Sequence, residues 1–285
     1  MIKGKKKTGL IIAIVAIIVI AIVAIGLWFT QIKMPYDKVM DEYNPVYKAT
    51  VEKNSELETS IQSAQDDLDQ GNTPLDVNTV SSVQIAVGNA QEAEVQIPEH
   101  PGTTAEAQDL IDKYSNTVDY TSVMNELAAA QKSYDDSCQS FNQVNNPSSS
   151  FVESRLVGLA NITAVEAATE NRDPNKQMNK DGGYTAAVYF TSDLVNPSKV
   201  SAETEYGNGP VALGTSAGGC IEVFKTADDA QKRCTYLSAF DGAGAFNSGS
   251  HTIIGTVLIR TSNYLTASQQ TTITNEIVSS LTAIK

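Results

Sequence analysis

Gly218-Gly219-Cys220-Ile221-Glu222-Val223-Phe224-Lys225-Thr226-Ala227-Asp228-Asp229-Ala230-Gln231-Lys232-Arg233-Cys234-Thr235-Tyr236-Leu237 changes its periodicity halfway along. Residues 220–224 read as a strand, because β-branched and aromatic side chains follow a glycine pair. Thr226 then opens a helix. Asp228 and Asp229 fall in its first turn, where negative charge favours the dipole, and Ala227, Ala230, Cys234 and Leu237 form its apolar stripe. The same reading extends outward. Tyr184 to Phe190 is a strand bounded by Gly182-Gly183, and His251 to Arg260 is a third strand. Thr266-Ala267-Ser268-Gln269 is a capping box ahead of the stripe Ile273, Ile277, Leu281 and Ile284. Upstream, Val152, Leu156, Leu159 and Thr163 are in phase for a helix over 151–168. Residues 151–285 are therefore expected to be an α+β domain of order α-β-β-α-β-α, a two-layer sandwich with its helices on one face. No phosphate-binding glycine signature joins a strand to a helix, which argues against a nucleotide-binding domain.

Asn145-Asn146-Pro147-Ser148-Ser149-Ser150 has turn formers and no apolar content, so 146–150 reads as a linker. Ahead of it, 35–145 reads as an antiparallel helical bundle serving as a stalk. Tyr47, Val51, Leu57, Ile61, Ala64 and Leu68 mark its first helix, with Asn44-Pro45 as the expected start and Gly71-Asn72 as the stop. Val80, Val83, Val87 and Ala90 mark a second over about 76–95. Leu110, Tyr114, Val118, Thr121, Met124, Leu127, Gln131, Tyr134, Cys138 and Phe141 predict one long third helix over 104–144.

Residues 9–29 carry no charge and are dominated by Ile, Val, Ala and Leu. As a helix they span about 31 Å, the thickness of a bilayer's hydrocarbon core, and Trp28 and Phe29 close the run at the lipid–water boundary. A cleaved signal peptide would have a shorter apolar region and a small-x-small site, and Ala24-Ile25-Gly26 is a poor version of one. An uncleaved signal anchor is the expectation. Lys3, Lys5, Lys6 and Lys7 precede the span, so the tail 1–8 should stay in the cytoplasm and the body from about residue 30 should lie outside. The chain has a net charge of −13 and those four lysines are the only charges before residue 30. So acidic a body is repelled by phosphate backbones, which excludes nucleic acid as an expected partner.

Several patterns bear on chemistry. Gly214-Thr215-Ser216-Ala217-Gly218 matches the G-x-S-x-G elbow of serine hydrolases, and Ser216, Asp241 and His251 follow the order Ser–Asp–His. A strand follows this motif, whereas the elbow needs a strand before and a helix after. His100 and His251 are the only histidines, and Cys138, Cys220 and Cys234 lack metal-ligand spacing, so no cofactor or catalytic residue is expected. The loop after residue 170 gathers Asp173, Asn175, Asn179 and Asp181, the oxygen donors a hard cation takes. Arg172, Lys176 and Lys180 oppose a cation, and Pro174 breaks the calcium-loop spacing, so a metal-free set of turns is expected there. Cys220 and Cys234, if paired outside the membrane, would close a loop worth about 3 kcal/mol. Pleat phase decides this: if the following helix covers the Ile221 and Val223 face, the sulfurs point apart.

The runs Glu170-Asn171-Arg172-Asp173-Pro174-Asn175, Lys180-Asp181-Gly182-Gly183-Tyr184-Thr185-Ala186 and Gly218-Gly219-Cys220-Ile221-Glu222-Val223-Phe224 form a recurrent pattern with Asp229-Ala230-Gln231-Lys232-Arg233, Tyr236-Leu237, Arg260-Thr261-Ser262 and Leu265-Thr266. Together they resemble single-span surface proteins of Gram-positive bacteria, some of them labelled by analogy with helical-bundle matrix-binding proteins. The resemblance implies a membrane-anchored surface protein and carries no activity and no functional residues with it; the expected function, from the whole reading, is a non-enzymatic cell-envelope surface or binding module with a protein or envelope partner. The alternatives are an extracytoplasmic ligand-binding or sensory subunit working with a separate membrane partner, and a Ser216-dependent hydrolase.

Overall fold

The computed structural model describes residues 3–116, 118–201, 208–240 and 249–284. The chain forms two compact units: Met1–Gln70 with Ser82–Gln131, and Gly71–Ser81 with Lys132–Lys285.

The first unit is helical. Helix α1 (Lys3–Trp28) passes through a π-helical turn, Phe29–Lys33, directly into α2 (Met34–Asp69). Trp28 and Met34, on either side of the turn, both keep right-handed helical dihedrals, so the backbone never leaves the helix. The start expected at Asn44-Pro45 is absent, and Pro45 lies inside α2. A proline removes one intrahelical hydrogen bond, and here the buried stripe Met40, Tyr43, Thr50, Leu57, Ile61 and Ala64 on both sides of it holds the helix together. Helix α3 (Asn78–Ala93) follows as expected.

The single helix expected over 104–144 is two, α4 (Thr104–Tyr114) and α5 (Thr121–Gln143). Residues 118–120 leave the helix. The Asp119 carboxylate accepts from the Thr121 backbone N–H at 2.9 Å and starts α5. Tyr120 is buried, its hydroxyl accepting from the Val95 N–H and donating to the Asn54 side chain. Apolar spacing continues across the break, so periodicity alone could not locate it.

In the second unit α6 (Ser149–Leu156) is capped by the Ser148 hydroxyl. It ends twelve residues earlier than expected. Gly158 and Asn161 both take positive φ, and Ile162–Ala167 is a strand, β1, not helix. β2 (Tyr184–Ser192) and the short helix α7 (Pro210–Leu213) precede β3 (Gly218–Phe224) and α8 (Ala227–Ser238). The strand expected over 251–260 is a hairpin of β4 (Ser250–Ile254) and β5 (Val257–Thr261), turning at Gly255 and Thr256. Gly255 has φ +57°, and a Cβ there would lie 2.5 Å from the Val144 carbonyl oxygen. Helix α9 (Ala267–Thr282) begins with the expected capping box of Thr266 and Gln269.

The five strands form one antiparallel sheet of order β1-β2-β3-β5-β4. The fold class is α+β, but helices cover both faces, which makes three layers where two were expected. One face, with Val188, Phe190, Ile221, Val223, Val257 and Ile259, packs on α6 and α9 through Val152, Leu156, Ile273, Ile277 and Leu281. The other, with Ala187, Tyr189, Cys220, Phe224 and Leu258, packs on Val211 and Ala212 of α7 and Ala230 and Leu237 of α8. β3 is buried along its whole length, as a central strand covered twice must be. The 146–150 segment is tied into this unit: the Asn146 N–H donates to the Thr256 hydroxyl at 2.7 Å, and its side chain accepts from Thr185.

Candidate functional site

Two features stand out chemically. The first is the N-terminal helix. Its described apolar side chains from Ile12 to Met34 are exposed all round, among them Ile20 at 68%, Trp28 at 51% and Met34 at 55%. The helix is long and apolar enough to cross a membrane, and none of its most apolar window is buried against protein. Thr30 donates to the Gly26 carbonyl at 2.9 Å, so its hydroxyl is satisfied within the helix.

The second is a polar layer between the sheet and α8. Glu222 projects from the middle of β3 and is fully buried. Its Oε1 accepts from Arg260 Nη1 at 2.6 Å and Arg233 Nη2 at 3.1 Å, and its Oε2 accepts from Arg233 Nε at 2.9 Å. Burial alone would raise this carboxyl's pKa. The Arg260 and Arg233 guanidiniums outweigh that and hold it below the ordinary carboxylate value. Neighbouring Cys220 and Tyr189 are shifted up, chiefly by burial, so both stay protonated at neutral pH. A negative charge in an otherwise apolar strand was the one sequence signal for this triad. Its partners, eleven and thirty-eight residues away, were not legible.

The loop between β1 and β2 is organised by one side chain. Asp173 is 2% exposed. Its Oδ1 accepts from the Asn175 N–H and the Tyr184 hydroxyl, and its Oδ2 from the N–H groups of Gln177 and Met178. Asn175 donates its amide to the Tyr189 hydroxyl at 3.0 Å, and Asn179 donates to Glu170 at 3.2 Å. Asp181 is exposed. The four oxygen-bearing residues therefore do not converge, and no cluster of three His, Cys, Asp or Glu suited to a metal occurs among the described residues.

Ser216 lies in a 3₁₀ turn, Thr215–Ala217, that leads from α7 into β3, the reverse of a nucleophile elbow. Its carbonyl accepts from the Ser262 hydroxyl at 2.6 Å. His251 is on β4 opposite Arg260, and Asp241 lies outside the described residues. Cys138, Cys220 and Cys234 are free thiols. Helix α8 covers the Cys220 face of β3, so Cys220 and Cys234 share one layer, and the pleat phase that would part them is not adopted. In the helical unit, an open groove of about 840 Å³ is lined by Glu58, Asp66, Asp67, Gln91 and Glu94. No protein-family model, curated protein or solved structure matches the chain.

Proposed function

We propose that this chain is a single-pass, membrane-anchored, non-enzymatic binding module of the cell envelope, with its helical unit acting as a stalk for the α+β unit. The observation that carries this reading is the helix Lys3–Trp28, whose apolar side chains meet no protein from Ile12 onward and which runs without a break into α2. Lys3, Lys5, Lys6 and Lys7 on its N-terminal side favour a cytoplasmic N-terminus and an extracytoplasmic body. A binding role is favoured over catalysis because the two acids most deeply buried in the C-terminal unit, Asp173 and Glu222, are saturated. Asp173 accepts four donors, and Glu222 is held by two guanidiniums. Neither carboxylate is left to act as a general base on a bound substrate.

Protease added to intact protoplasts tests the arrangement. Removal of the body with retention of a short anchored fragment is the expected result. Full protection of the body would reverse the orientation, and release of the intact chain by carbonate would remove the anchor.

A further inference from the structure

The helical unit positions one turn of chain close to the end of its apolar helix. From Thr8 to Ile32 the sequence has 25 uncharged residues, about 37 Å of helix, between the roughly 30 Å of the hydrocarbon core and the 40–45 Å of the whole bilayer. Lys33 therefore emerges at the headgroups, paired with Asp37 at 2.9 Å, and Tyr36 follows about 4–5 Å further along the axis.

A strap from 94 to 101 descends along α2 toward that point. The Asn54 side-chain amide donates to the Val95 carbonyl, Tyr43 donates its hydroxyl to the Pro98 carbonyl, and Tyr36 donates its hydroxyl to the Pro101 carbonyl at 2.8 Å. Each step along the strap is thus matched to a lower position on α2, which spans about 27 Å from residue 54 to residue 36. The chain then reverses. Thr103 caps α4, the Gly102 N–H donates to Glu106, and α4 packs back on Tyr36, Val39, Met40 and Tyr43 through Ala107, Leu110 and Ile111. Pro101 is buried at the bottom of this reversal, whereas Glu99, His100, Gly102 and Thr103 are exposed.

We infer that the turn Glu99–Thr103 rests in the lipid headgroup layer of the bilayer that the N-terminal helix crosses, so that the helical unit sits on the membrane surface with no spacer. This rests on the membrane-anchor reading above. The surface is continuous with the exposed apolar band ending at Ile32 and Met34. Trp28 and Tyr36 bracket the boundary with the amphipathic rings that favour headgroup depth. Lys33 is offset by Asp37, and Glu99 adds an acid, so the contact suits zwitterionic headgroups more than anionic ones.

Tryptophan quenching in phosphatidylcholine nanodiscs carrying a headgroup nitroxide tests this on the full chain. Trp28, the only native tryptophan, reports the anchor itself. In a Trp28→Phe background, His100→Trp places the reporter on the turn, and Glu58→Trp places one about 33 Å further along α2. The expected result is an indole at position 100 quenched as strongly as Trp28 and several-fold more than the one at position 58. If Trp28 is not quenched, the anchor reading fails. If Trp28 is quenched while position 100 behaves like position 58, the anchor stands and this inference is overturned.

Discussion

Replacing Glu222 by glutamine should destabilise the α+β unit more than any other single charge change in it. The variant keeps the side chain's shape and one acceptor oxygen, but removes the negative charge between two guanidiniums. Arg260 is 8% exposed and Arg233 15%, so little solvent replaces the lost charge. One of the three N–H donors now aimed at the carboxylate would face an amide NH₂, and Arg260 Nε already has no partner. Breaking one side of a buried ion pair costs about 3–5 kcal/mol. For a unit of this size that lowers the melting temperature by roughly 6–20 °C. Calorimetry of the full chain in detergent micelles at pH 7 reads it directly. Changing Glu222, Arg233 and Arg260 together to methionine should cost much less, because no uncompensated charge stays buried. The pH dependence has a definite sign. The folded carboxyl titrates below its unfolded value of about 4.3, so its contribution is complete above that value and is lost as pH falls through the lower folded one. The gap between wild type and variant should therefore narrow in acid. A variant within about 1 kcal/mol of wild type at pH 7, or a gap that widens in acid, would refute the reasoning.

Asp173→Ala should cost about 2–4 kcal/mol, since three backbone N–H groups, that of Met178 buried, and the buried Tyr184 hydroxyl lose their acceptor; thermal melts with millimolar calcium and with chelator should coincide for both proteins. Gly183→Ala should disturb the same loop, because its Cβ would stand 2.0 Å from the Gln177 carbonyl oxygen, and a loss under about 1 kcal/mol in denaturant titration would contradict that geometry. Thr266→Ala removes the hydroxyl that caps α9 and should lower stability by about 1 kcal/mol in the same titration. Ile20→Arg puts a charge at the centre of the apolar helix, an insertion penalty of about 2.5–3.5 kcal/mol, and should shift protein from the carbonate-resistant membrane pellet to the supernatant.

Features whose cause is local were legible in the sequence. The apolar run from residue 9 to residue 29 needs only its own length and lack of charge to be recognised. The capping box at Thr266 and Gln269 involves residues three apart, and the turn residues of the 171–183 loop act on their immediate neighbours. Asp173 does what the local reading expected, bonding the backbone just ahead of it, although its bond to Tyr184 was not foreseeable. Features that depend on distant partners were decided by the tertiary structure. Ile162–Ala167 continues a helical stripe in phase, yet it becomes an edge strand because Val165 to Ala167 find Phe190 to Val188 to pair with. The break at Val118 to Tyr120 exists because the Tyr120 hydroxyl reaches Asn54 and Val95. Gly255 turns a hairpin against the Val144 carbonyl, 111 residues earlier in the chain. Helices cover both sheet faces because Cys220, Glu222 and Phe224 need a cover as much as Ile221 and Val223 do. A strand's alternation shows only that it has two sides, and the packing of the rest of the chain determines what lies against each.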